Sequence, residues 1–233
     1  GRALECGSDR ARRTPLCNRT RDCRRNDLSA TTSGGQPKQP MSLESALDEY
    51  PKGLMLRDGL VCQARPLEPG DHVAFHQFFT SLPAPELLYI KHRVTEPEVV
   101  RAWCEELDLG RNLPLLAWND NAIIGVCTLH QNLGGWKRHI GRVSVHVHPK
   151  FRGRGLAQAL VGETVEIARA CSLEKVEAEF IGTQEGAIKV FGLLGFSELV
   201  RLPDYVKDMQ AITHDYVLMG LNLLTDDEYA SAG

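Results

Sequence analysis

The sequence predicts one mixed α/β domain running from about residue 42 to residue 224. Three observations predict it. Apolar runs with strand-like alternation are interleaved with segments of helical spacing. The run ending at Val147 passes through Pro149 and two glycines directly into a helix-like pattern. The composition, 42% hydrophobic and 24% charged over 233 residues, is that of a soluble globular chain able to bury one sizeable core.

Residues 1–40 are a different kind of sequence. They carry nine Lys/Arg against four Asp/Glu, a net of +5, so the whole-chain charge of −3 leaves −8 for residues 41–233. They show neither helical nor strand periodicity and end in a Ser/Thr/Gly/Pro/Gln stretch, so they read as a disordered basic tail or leader, with Met41 as the natural start. A basic tail suits nucleic acid, but no aromatics are interleaved for base stacking, and the acidic remainder argues against a nucleic-acid partner. No run approaches the roughly 18 apolar residues of a membrane helix and no secretory signal opens the chain, which makes a cytoplasmic location the expectation. Seven cysteines without a CxxC pair or metal spacing read as reduced thiols, with no metal site.

From Met41 the elements follow in order. A weak helix spans Leu43–Tyr50, and a strand spans Leu60–Leu67. Asp71 is placed to cap a helix carrying Val73, Phe75, Phe78, Phe79 and Leu82, and a second helix begins at Pro97. "LPLLAW" and "AIIGVCTL" are apolar runs joined by "NDN", the punctuation of a hairpin. A strand from Arg138 to Val147 leads to the helix Gly155–Cys171, with Leu156, Leu160 and Ile167 on one stripe. "KVEAEF" puts Val176, Ala178 and Phe180 on one face of a strand and Glu177 and Glu179 on the other. Ala187, Ile188, Phe191 and Leu194 mark another helix, stopped by Gly195, and "HDYVLMGLNL" closes the domain as a strand.

The segment "RGRGLA" (Arg152–Ala157) lies between strand and helix. A helix N-terminus offers unpaired N–H groups and a positive dipole end, glycines let an anion approach the backbone, and arginines add charge, so phosphate binding is a natural inference. Short Gly/Arg loops also occur as plain turns, and the loop alone leaves both readings open. Gln158 breaks the dinucleotide GxGxxG pattern and no GK[ST] follows.

The segment resembles the acyl-CoA diphosphate loop (Q/R)xxGx(G/A) of the GNAT acetyltransferase superfamily, matched by Arg152-Gly153-Arg154-Gly155-Leu156-Ala157. The preceding "VHVHP" resembles the family's fourth strand, "GTQEGAIKVFGLLGF" its "xxNxxAxxxYxxxGF" segment, and "YVKDMQAITHDYVLMGLNL" its closing hairpin. The four matches cover about residues 58–222. They imply a GNAT-like fold: a central twisted, mostly antiparallel sheet with a splayed parallel pair of strands and flanking helices.

The resemblance also implies a chemistry. An N-acetyltransferase would move an acetyl or longer acyl group from acetyl-CoA (acyl-CoA) to a primary amine of a small molecule or a protein, by direct attack in a ternary complex. The cofactor's pantetheine would run beside Val145, His146 and Val147. Its diphosphate would sit on Arg152, Gly153, Arg154, Gly155, Leu156, Ala157 and Gln158, with Gln184 and Phe191 also lining the cofactor. Glu179 is the candidate base, because it precedes Gln184 in the register where ribosomal-protein alanine acetyltransferases of the superfamily carry their catalytic glutamate. Glu177 and Glu179 equally fit a solvated strand face. His146 and His148 are of a type that can relay protons. Phe191 stands where many members have a proton-donating tyrosine, and Gln184 replaces their asparagine, so Tyr205 becomes the candidate acid, with departure of the thiolate to solvent as the other route. A non-catalytic acyl-CoA-binding module is the competing reading. The resemblance leaves a homodimer open, and "FHQFFTSLPAPELLYIKHR" and "LHQNLGGWKRH", where acceptors are recognised in the family, carry no readable code.

Overall fold

A computed structural model of the chain describes residues 42–87, 90 and 93–224, and the readings made for residues 1–40 lie outside these. Helix α1 (Leu43–Leu47) starts at Ser42, whose hydroxyl accepts from the Ser45 N–H at 3.2 Å. Strand β1 (Lys52–Met55), which no alternation in the sequence marks, pairs antiparallel with β2 (Val61–Pro66). A 3₁₀ turn (Pro69–Asp71) then leads into α2 (His72–Thr80), followed by the short α3 (Ala84–Leu87) and by α4 (Pro97–Glu105).

Asp71 does not cap α2 in the way its position suggests. Its two carboxylate oxygens each lie 2.7 Å from a nitrogen of the Arg65 guanidinium, and one accepts from the Glu68 N–H at 2.9 Å. A bidentate, charge-assisted pair at a largely buried site outweighs a single backbone cap. Arg65 in turn stacks 4.6 Å from the centre of the Trp118 ring.

The remaining elements are β3 (Asn112–Asn119), β4 (Ala122–Gln131), β5 (Ile140–Val147), α5 (Leu156–Ala170), β6 (Lys175–Ile181), α6 (Glu185–Leu193), β7 (Ser197–Lys207) and β8 (Thr213–Asn222). The β3–β4 hairpin turns at Asp120, whose φ of 51° is one that aspartate tolerates. Eight strands form one sheet in the order β1-β2-β3-β4-β5-β6-β8-β7, and only β5 and β6 run parallel.

Strand alternation divides the core into two layers. On one face Leu115, Cys127, Leu129 and Val143 pack with Leu156, Leu160 and Val161 of α5. Each fully buried leucine there contributes roughly 1.5–3 kcal/mol of apolar transfer. Neighbouring residues on two of these strands point the other way: Leu116 and Val126 pack with Phe75, Phe78 and Phe79 of α2 and with Val100 of α4. Among the described residues no helix is long and apolar enough to cross a membrane.

Candidate active site

The parallel pair is short. Ile140, Gly141 and Arg142 of β5 pair with Lys175, Val176 and Glu177 of β6, and there the ladder stops. Beyond it β5 stays with β4 as far as Val147, while β6 stays with β8 as far as Ile181. The two strands therefore diverge, and a wedge opens between Val143–Val147 and Ala178–Ile181. The β5 wall includes Val145, His146 and Val147, all half-buried.

The wide end of the wedge leads to the glycine loop. After the turn Pro149–Phe151, Gly153 and Gly155 have φ of 74° and 87°, in the left-handed region that glycine adopts without steric cost. Gly155 is the N-cap of α5 and has no side chain to cap it. The first backbone bond into the helix runs from the Ala159 N–H to the Gly155 carbonyl at 3.0 Å, so Leu156, Ala157 and Gln158 present N–H groups without an intrahelical acceptor. This backbone suits a diphosphate.

The arginines are more committed than the sequence suggests. Arg152 forms two 2.7 Å contacts with the carboxylate of Glu86 on α3 and donates to the Val147 carbonyl at 3.0 Å. Arg154 pairs with Asp58 at 2.9 Å, over the ring of Phe151. A residue that sequence reasoning missed, Arg57, donates its N–H to the Arg154 carbonyl at 3.0 Å and its guanidinium to Gln158 Oε1 at 2.6 Å. It arrives from the β1–β2 connection, and no local motif marks it.

His146 packs against Phe79, with ring centres 6.4 Å apart. Burial, reinforced by Arg152 and opposed by Glu86, holds its pKa below the usual value. His148 is lowered in the same direction by burial, Lys150 and Arg152. Both are therefore neutral at pH 7, and His148 Nδ1 accepts from the Lys150 N–H at 3.2 Å.

At the narrow end lie the carboxylates. Glu177 is 3.2 Å from Lys137, and Glu179 is 3.6 Å from Arg142 across the apex of the wedge. The Tyr216 hydroxyl of β8 donates to Glu179, and burial together with that carboxylate pushes the tyrosine up to about 12. Tyr205 is 67% exposed, its ring centre 5.8 Å from that of Tyr216, so the hydroxyl that reaches Glu179 is Tyr216's. Alternation along β8 could have pointed to Tyr216, because it shares a sheet face with Glu179. Phe191 is buried between Phe180 and Phe196, at centroid distances of 5.0 and 4.9 Å. The Gln184 side chain turns back to accept from the Ile181 N–H at 3.0 Å and so closes the β6–α6 turn.

A model of the acetyltransferase (GNAT) family matches residues 77–196, just over half of the chain. The chain belongs to the GNAT acetyltransferase family. This GNAT chain is 29% identical over 107 residues to the L-amino acid N-acyltransferase MnaT of Escherichia coli, a match covering 44% of the chain and 60% of the relative. It is equally similar to the L-methionine sulfoximine/L-methionine sulfone acetyltransferase of Salmonella typhimurium, and the chain spans 60% of the length of each of these two curated relatives. Among solved structures, the yncA protein of Salmonella typhimurium, determined with acetyl-CoA, superposes with a TM-score of 0.61 at 20% identity, covering 70% of this GNAT chain and 95% of that one. The ribosomal-protein-S5-alanine acetyltransferase of Vibrio fischeri superposes with a TM-score of 0.63 at 21% identity, covering 72% and 94%. These likenesses establish a GNAT fold.

Proposed function

We propose that the chain is an N-acetyltransferase that moves the acetyl group of acetyl-CoA to a primary amine by direct attack. The observation that carries this reading is the divergence of β5 from β6, which sets an uncapped helix N-terminus beyond the wide end of the wedge and the Glu179 carboxylate at its narrow end. The N–H groups from Gly153 to Gln158 hold the diphosphate, with Arg57 and the two paired arginines around it. The β5 edge from Val145 to Val147 takes the pantetheine arm as a strand-like partner. The bound co-substrate supplies an activated thioester, and the protein supplies position and proton transfer.

Glu179 takes the proton from the attacking amine, directly or through one water, while Arg142 and Tyr216 hold the carboxylate in place. Phe191 cannot donate a proton, so the departing thiolate is protonated by solvent or by a hydroxyl near Glu179. The names of the two curated relatives point to a small amino-acid-like amine as acceptor, and the Arg142–Glu179 pair suits one, since a zwitterion brings a carboxylate for the first and an ammonium for the second. We further propose that residues 42–224 suffice for this activity. The test is release of CoA from acetyl-CoA against a panel of amino acids, polyamines and peptides, with mass spectrometry of the acetylated product.

A further inference from the structure

A second constellation lies on the same sheet face, at the border of the wedge and apart from the Glu179 cluster. Asn112, His130 and Ser144 come from three adjacent strands, β3, β4 and β5. Asn112 is directly opposite His130, which is opposite Arg142, while Ser144 is opposite Thr128. Alternation places all three side chains on the face that also carries Glu177 and Glu179.

Their geometry is ordered. His130 Nδ1 lies 2.7 Å from Asn112 Oδ1, and His130 Nε2 lies 3.4 Å from Ser144 Oγ. An amide oxygen only accepts, so Nδ1 carries the ring proton and Nε2 presents its lone pair to the serine hydroxyl. This is the relation of orienter, base and nucleophile that activates a hydroxyl, at the looser separation common before substrate is bound. Ser144 lies two residues beyond Arg142, the last residue of the parallel ladder, and is therefore the first side chain of this face to border the open wedge.

We propose that Ser144 is a second acyl acceptor, activated by His130 and oriented by Asn112, which takes the acetyl group when no amine is bound and passes it to water. The inference rests on the reading that acyl-CoA lies in the wedge. Ser144 Oγ bonds to the thioester carbonyl carbon, its proton moves to His130 Nε2, the C–S bond breaks, and that proton leaves on the CoA sulfur. Water then attacks the serine ester, giving up one proton to His130, which returns it to Ser144 Oγ as acetic acid departs and loses its remaining proton to solvent. Asn112 orients the ring without supplying a counter-charge to the imidazolium, so this route is slow beside transfer to an amine.

The test uses the full chain with acetyl-CoA and no amine, followed by intact-mass measurement, peptide mapping and thiol release. The expected result is one acetyl group on the peptide containing Ser144, removed from the isolated peptide by alkaline but not by neutral hydroxylamine, as an oxygen ester and not a thioester is. Ser144→Ala should lose the adduct, and its amine-independent CoA release should fall on the order of 10²-fold. His130→Gln should slow ester formation while circular dichroism and calorimetric acetyl-CoA affinity stay unchanged. An unmodified Ser144 in a chain that does acetylate an amine would overturn the inference and spare the transferase reading. Equal ester formation in His130→Gln would overturn the assigned activation. A chain that does not bind acetyl-CoA at all would remove both readings together.

Discussion

Arg142 and Glu177 are the last two residues that β5 and β6 hold in register, and the wedge begins immediately beyond them. The same Arg142 reaches past Glu177 to Glu179, 3.6 Å away, so the cation at the apex is aimed at the carboxylate inside the wedge. Glu177 is matched instead with Lys137. Two glutamates two residues apart on one strand thus have different partners, and the account assigns them different work.

Glu179→Gln should keep fold and acetyl-CoA affinity while lowering turnover by roughly 10²–10⁴-fold, the usual span for general-base catalysis. The deficit should shrink as pH rises, because a more basic medium delivers more of the acceptor as free amine. Glu177→Gln is the matched control and should change turnover little. Steady-state rates of the two variants from pH 7 to pH 10 check both statements.

Gly153 and Gly155 share a left-handed backbone but not their surroundings. A Cβ at Gly153 meets nothing within 4 Å, whereas one at Gly155 meets the Arg57 side chain at 3.1–3.3 Å. Alanine at either position should cost about 1–2 kcal/mol from backbone conformation alone. Only Gly155→Ala should also displace Arg57 from Gln158 and weaken acetyl-CoA binding markedly. Thermal melts compared with calorimetric titration separate the two effects.

Glu86 holds the Arg152 guanidinium, which the proposed function assigns to the diphosphate. Glu86→Gln should release the guanidinium and tighten acetyl-CoA binding about two- to five-fold, the ratio that a partly exposed pair worth up to about 1 kcal/mol allows. The gain should vanish at high salt. Titrations at low and high ionic strength decide it.

Tyr216 gives a pH signature. Its folded-state pKa, pushed up to about 12 from 10.0, means that the folded chain retains a proton that the unfolded chain releases. The stability this contributes is fully present below pH 10 and is lost as pH rises towards 12. Tyr216→Phe lacks this titration, so its melting temperature should fall less steeply than that of the parent chain between pH 10 and pH 12.

Much of this architecture is legible in the sequence, for identifiable reasons. The α5 stripe, the glycine stop at Gly195 (φ 90°) and the two-sided strand β6 each write their geometry into a local period or a single residue type. Strand β7 does not, because none of its residues is fully buried, so no alternation between inner and outer positions is needed. Strand β1 is four residues long, too short for a period to show. At the site, the loop glycines and Glu179 lie on contiguous stretches that can be matched to a pattern. Arg57, Tyr216 and the Asn112–His130–Ser144 set depend on register between strands distant in the chain, and spacing along one segment cannot reveal them.

The most direct test of the central claim is acetyl-CoA consumption measured with and without each amine of the panel, on protein whose acetyl-CoA binding has been confirmed by calorimetry. The account predicts CoA release that rises with the concentration of at least one primary amine, matched one-for-one by its N-acetyl product and lost in Glu179→Gln. Tight acetyl-CoA binding with no amine-dependent release across the panel would contradict it and leave a cofactor-binding module in its place.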